Sequence, residues 1–239
     1  MRRVWVLIVS AALVAAVGCG QKSYERRLGD TLAKLEYDRR LKKNLMEAPK
    51  DDKKFLELTL YIRPPKEEAQ AKTGQLPVTE GQFDLDASFN DTKDNSSSLH
   101  VLARVKLPKK PPAKGQPIPP PAPPRGEFVG EVLGVLSTAF NAPEALAAPK
   151  LSDKESEKYH NRFKRLIFNA GDKEVALYTS KQGAHEVALV YVYDTKIKGP
   201  ISSKIELSLD SFAIGEKAAR LYSGGAADEE VDSGPPVPL

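Results

Sequence analysis

Of 239 residues, only one is cysteine and three are histidine. A lone cysteine excludes an internal disulfide framework and a cluster of thiolate metal ligands, so stability has to come from packing. His100, His160 and His185 lie far apart in sequence, and none has the H-E-x-x-H spacing that puts two imidazoles on one helix face, so no metal site is expected. The G-x-S-x-G elbow, the P-loop and G-x-G-x-x-G are missing too. No cofactor and no catalytic residue are expected from motifs. A spanning segment is also lacking: the apolar run Val4–Val17 is shorter than the roughly 20 residues needed to cross hydrocarbon.

What the N-terminus does have is Arg2 and Arg3, then this uncharged run, then Ala16-Val17-Gly18-Cys19. A basic start, a short apolar stretch and small residues at its end make a signal sequence. The closing tetrapeptide resembles the lipobox of bacterial lipoprotein precursors, although the family prefers leucine where Ala16 stands. The resemblance implies a signal peptide over 1–18, cleavage before Cys19, and a diacylglyceryl thioether on the Cys19 thiol. Without it, the segment reads as an ordinary secretory signal or an uncleaved anchor. Two or more acyl chains hold a protein stably on its leaflet, each buried methylene contributing about 0.8 kcal/mol. The implied location is a membrane facing the periplasm, and Gly20 rather than aspartate after the cysteine favours the outer membrane. Lipid on Cys19 leaves a chain with no free thiol. Loss of Arg2 and Arg3 leaves 34 basic against 32 acidic residues, a balance that argues against nucleic acid as a partner.

The chain after Cys19 is uneven. From Lys22 to Met46 strong helix formers dominate, with Tyr24, Leu28, Leu32 and Leu35 spaced four, four and three apart, which predicts an amphipathic helix. Arg39, Arg40, Lys42 and Lys43 at its far end suit either anionic headgroups or water. Alternation predicts strands over Phe55–Arg63, Gln82–Phe89 and Leu99–Leu107, the last two a hairpin around a polar loop from Asn90 to Ser98. Nine prolines between 108 and 125 predict an exposed Pro-rich loop. Helical spacing returns at Phe128, Val132, Val135, Leu136 and Ala139, where Gly130 and Gly134 suggest close approach to a neighbouring element. Ser152 and Glu155 have capping-box spacing, predicting a second helix that contains His160. Strands are expected at Arg165–Phe168, Glu174–Thr179, Glu186–Tyr193 and Ile205–Leu209, and a helical turn at Glu216–Tyr222. Apolar residues on both faces of Glu186–Tyr193 mark it as a central strand.

These elements predict an α+β fold: a mainly antiparallel sheet with flanking helices and a Pro-rich inserted loop. The expected organisation is a signal peptide over 1–18, a lipidated N-terminus and amphipathic helix over 19–54, one α+β domain over 55–223 containing the loop 108–125, and a disordered tail over 224–239. With strands before the loop joining the sheet after it, the shape loosely resembles the small sandwiches of photosystem-associated lumenal proteins.

Three clusters have the residue types of a site. Asp84 and Asp86 share a strand face and suit acid-base work or a cation, or else a solvated outer face. Asp91 and Asp94 with Asn90 and Asn95 form an oxygen-rich loop without the glycine and glutamate of an EF-hand. Tyr178, Tyr191 and Tyr193 suit a ligand cleft, or ordinary strand propensity. The functional expectation is a membrane-anchored, non-enzymatic interaction or scaffold module at the cell envelope, held by lipid on Cys19 and meeting an envelope protein partner. The alternatives are a solute-binding lipoprotein with a tyrosine-rich cleft and a carboxylate hydrolase.

Overall fold

A computed structural model describes residues 24–66, 68–70, 76–93, 95–106, 126–147 and 149–224. The signal peptide, Cys19, the Pro-rich loop, Asp94 and the tail from 225 onward lie outside the described residues. The chain divides after Lys43 into two units, taken separately below.

The first unit holds all but the last residue of α1, a helix over residues 24–44, close to the span its periodicity predicts. Tyr24, Leu28, Leu32 and Leu35 are exposed along it.

In the second unit α2 (Lys53–Glu57) leads to β1 (Leu60–Tyr61), β2 (Glu68–Gln70), β3 (Leu85–Asp91) and β4 (Ser97–Val105). Then come α3 (Phe128–Phe140), α4 (Pro143–Ala147), β5 (Ser152–Glu155), β6 (Arg162–Ala170), β7 (Lys173–Gln182) and β8 (His185–Asp194). A 3-10 turn (Thr195–Ile197) leads into α5 (Lys198–Ser211), β9 (Ala213–Ile214) and α6 (Glu216–Tyr222). Seven strands form one antiparallel sheet in the order β2-β3-β4-β8-β7-β6-β5, and β1 pairs with β9 beside it. The fold is α+β, and strands from before and after residues 107–125 share the sheet through the β4–β8 ladder.

Both faces of the sheet are covered. On one, Leu99, Val101, Leu189, Tyr191 and Ala176 pack with Phe55 of α2 and with Ile201, Ile205 and Leu209 of α5. On the other, Leu102, Leu177, Ala188 and Val190 pack with Phe128, Val132, Val135 and Leu136 of α3. β8 is central, as its two apolar faces predict. The β6–β7 and β7–β8 hairpins turn on Gly171 (φ 65°) and Gly183 (φ 56°), a left-handed conformation that glycine adopts without a Cβ clash.

Several expectations fail for local reasons. The segment Phe55–Arg63 is not one strand. Asp52 accepts a hydrogen bond from Lys54 N–H at 2.9 Å and caps α2, which buries Phe55 against Phe89 and leaves Leu56 exposed. Only Leu60 and Tyr61 remain as strand. Ser152–Glu155 is the edge strand β5, because no apolar periodic run follows Ser152 to give a helix a face to bury. His160 accordingly sits in the turn before β6 (φ 53°), its Nδ1 2.7 Å from Glu155 Oε1. Ile205–Leu209 is helical. Ile201, Ile205, Leu209 and Phe212 repeat at four, four and three, and this longer stripe prevails over the alternation within it. Gly134 has open space around it and Gly130 meets only the Glu127 carboxylate of its own cap, so neither marks a close approach.

Candidate functional site

At one end of the sheet the register lines up five polar residues. Glu174 of β7 faces Tyr193 of β8, Tyr193 faces Ser97 of β4, and Asp91 of β3 faces Glu68 of β2. Asp91 and Ser97 occupy the next step of the β3–β4 register beyond Asn90 and Ser98. Since side chains alternate along a strand, the row lies on the face of Phe89, Leu99, Tyr191 and Ala176, two residues away on each strand. All five residues are buried. The row therefore closes one end of that core layer, beside the start of α5.

Its two halves differ electrostatically. Tyr193 donates to Glu174 Oε1 at 2.5 Å and Lys198 of α5 donates to Oε2 at 2.6 Å. Burial pushes the Glu174 carboxyl up, but the Lys198 and Tyr193 hydrogen bonds and the ammonium charge outweigh it and hold the group below its ordinary value. Burial and the adjacent carboxylate push the Tyr193 phenol well up. At the other end Glu68 receives one hydrogen bond, from Ser97 at 2.9 Å, and its Oε2 is buried with no hydrogen-bond partner among the described residues. Burial pushes its carboxyl up to about 8, opposed by the Ser97 hydrogen bond and by Lys204, and reinforced by Asp91. One end of the row is thus an ion pair and the other a protonated acid at neutral pH.

The opposite face carries a second buried polar group. Alternation in the sequence puts His100 on the polar face of its strand beside Arg104, and both are buried. Nδ1 of His100 lies 2.8 Å from Ser88 Oγ and Nε2 3.2 Å from Ser98 Oγ, and burial pushes the imidazole down to about 4. Arg104 donates to Glu131 of α3 at 2.5 Å and to the carbonyls of Gly126 and Gln82 at 3.0 and 3.1 Å. Its guanidinium also lies 5.6 Å from the Phe128 ring and 5.7 Å from the Phe83 ring. These contacts pin the start of α3 to the sheet.

A half-open groove of about 320 Å³ lies between the Met46–Asp52 segment, Pro64 and Phe89. It has the volume of a small-molecule site. One surface segment supplies most of its wall, and the polar row is not part of that wall.

The candidate clusters read from sequence do not assemble into a reaction centre. Asp84 Oδ2 accepts from Val105 N–H at 2.8 Å, a structural role, while Asp86 is half-buried and raised from its ordinary value by burial. Neither is the solvated outer-face residue expected. Asp91 accepts from Lys93 N–H at 2.8 Å and from the Ser96 hydroxyl at 3.3 Å, which is turn chemistry. Tyr178, Tyr191 and Tyr193 are buried core residues under α5. Tyr191 donates to Ser208 at 2.8 Å, and Tyr178, pushed up to about 12 by burial, stacks edge-on against Tyr191. His185 bonds the Leu58 carbonyl at 2.9 Å. Among the described residues no group of three histidine, cysteine or acidic side chains is placed to hold a metal ion, and no helix is long and apolar enough to cross a membrane.

The polar row and the Arg104–Glu131 link escape sequence reasoning because their partners lie up to about a hundred residues apart. The available signal is a polar residue that shares a strand face with an apolar core residue, as at Arg104 two positions after Leu102.

The chain matches no known family and no curated protein. The solution structure of cyanobacterial PsbP from Synechocystis sp. PCC 6803 is similar over 66% of this chain and 88% of that chain, with a TM-score of 0.40 and 9% identity.

Proposed function

We propose that this protein is a lipid-anchored, non-enzymatic interaction module of the bacterial cell envelope, held on its membrane by lipid on Cys19. The observation that carries the reading is Ala16-Val17-Gly18-Cys19 at the end of an uncharged apolar run, with Cys19 the only cysteine in the chain. What supports the non-enzymatic part is the use of the buried polar groups. Glu174, Tyr193 and Lys198 satisfy one another, Arg104 is tied to Glu131, and the tyrosines are packed in the core. A catalytic centre needs such groups turned toward a substrate.

The test is metabolic palmitate labelling of the wild type and of Cys19→Ser, followed by membrane fractionation. Label and membrane association are expected in the wild type and lost in the variant. Equal labelling of the two would sink the lipid anchor. In vivo cross-linking from exposed sheet-flanking positions is expected to trap one defined envelope protein, and hydrolytic turnover by the purified chain would overturn the non-enzymatic reading.

A further inference from the structure

We infer that one face of α1, carrying Tyr24, Leu28, Leu32, Leu35, Arg39 and Lys42, is a docking surface for an anionic lipid bilayer. At 3.6 residues per turn these six side chains fall within an arc of about 80° along the helix. All are exposed. The face is therefore graded: three apolar turns, then cations, with Glu25 and Lys43 at its border and no acidic residue inside the arc.

The gradient chooses the occupant. A second copy of the helix laid parallel sets Arg39 and Lys42 against their own kind, and laid antiparallel it sets them against Tyr24 and Leu28. The parallel arrangement offers no anion inside the arc, and the antiparallel one offers only Glu25 at the border. A bilayer surface with anionic lipid offers both chemistries, acyl chains under the leucines and phosphates for the cations. Tyrosine suits the level between them. Position agrees, since Tyr24 is five residues after Cys19 and so within about 17 Å of chain from it. The inference rests on the lipid-anchor reading only in placing α1 beside a membrane; the face itself binds without lipid.

The test uses the chain beginning at Gly20, which keeps every described residue and has no acylation site. It is expected to float with phosphatidylglycerol–phosphatidylethanolamine vesicles and weakly or not at all with phosphatidylcholine vesicles. Leu28→Ser, Leu32→Ser and Leu35→Ser together are expected to weaken binding at least about tenfold. Arg39→Gln and Lys42→Gln are each expected to cost about fivefold, on anionic vesicles only. These residues are exposed, and unchanged melting of the variants checks that the fold is intact. The inference is overturned if the chain ignores anionic vesicles, or if binding survives the leucine triple. Leucine-dependent self-association in the ultracentrifuge without vesicle binding would also overturn it and assign the face to a second copy. Palmitate labelling of the full chain reads the lipid anchor separately, so either conclusion can fail alone.

Discussion

The Ser97 hydroxyl donates to Glu68 Oε1 at 2.9 Å, while Glu68 Oε2 is buried without a hydrogen-bond partner among the described residues. With its carboxyl pushed up to about 8, Glu68 keeps its proton in the folded protein at pH values where the unfolded chain has lost it. The unfolded state then binds fewer protons, so this group makes stability fall as pH rises from its ordinary 4.5 toward 8, by up to about 1.4 kcal/mol per unit. Glu68→Gln should match the wild type at about pH 4 and exceed it at about pH 8. Urea unfolding at both values measures this, and an equal loss at both would contradict it.

His100 gives the opposite slope. Its imidazole, pushed down to about 4, stays neutral in the fold while the unfolded one takes up a proton near 6.5. Stability from this group is therefore present above 6.5 and lost as pH falls toward 4. His100→Gln should remove that acid-side slope in a melting-temperature series. An unchanged slope would mean that His100 is accessible to protons in the fold.

Glu174 is held below its ordinary value, so its contribution is present above the unfolded carboxylate range and lost as pH falls below it. Tyr193→Phe removes one of its two charge-assisted hydrogen bonds and should cost about 1.5–3 kcal/mol near neutral pH, with a smaller cost in acid. Nuclear magnetic resonance titration of the Glu174 carboxyl should show its value rising in the variant.

Arg104→Met takes the Arg104 donor from two carbonyls and from a partly buried Glu131 carboxylate, which keeps only the Gly126 N–H. The full loss of a buried pair is about 3–5 kcal/mol, and the partial exposure of Glu131 reduces this to about 2–4 kcal/mol. Arg104→Met with Glu131→Leu should recover most of it. A double variant no better than the single would show that the carbonyls and rings, not the carboxylate, hold Arg104 in place.

Legibility in the sequence followed the length of each pattern. Phe128–Phe140, Glu216–Tyr222 and the two-faced apolar run of β8 are readable because several turns or strand positions repeat one signal. Ile205–Leu209 misleads because two of its three alternating residues, Ile205 and Leu209, also belong to a helical stripe that begins at Ile201. Ser152 misleads because the capping-box spacing is a four-residue pattern, and no apolar run follows it to give a helix a face to bury. The polar row is different in kind. Glu68, Ser97 and Glu174 are ordinary strand residues until pairing sets them side by side, and no local spacing encodes that register.

The β4–β8 ladder makes chain continuity through residues 107–125 dispensable to the pairing of the sheet. A polypeptide ending there carries β2, β3 and β4, with Phe83 and Leu102 awaiting the side chains of α3; a second one starting there carries α3 and the remaining strands of the sheet. Each half holds an unsatisfied face and strand edge that only the other completes. Co-expressed fragments divided in that interval are therefore expected to reassemble by strand complementation, and a protease cut there is expected to nick the chain without parting it.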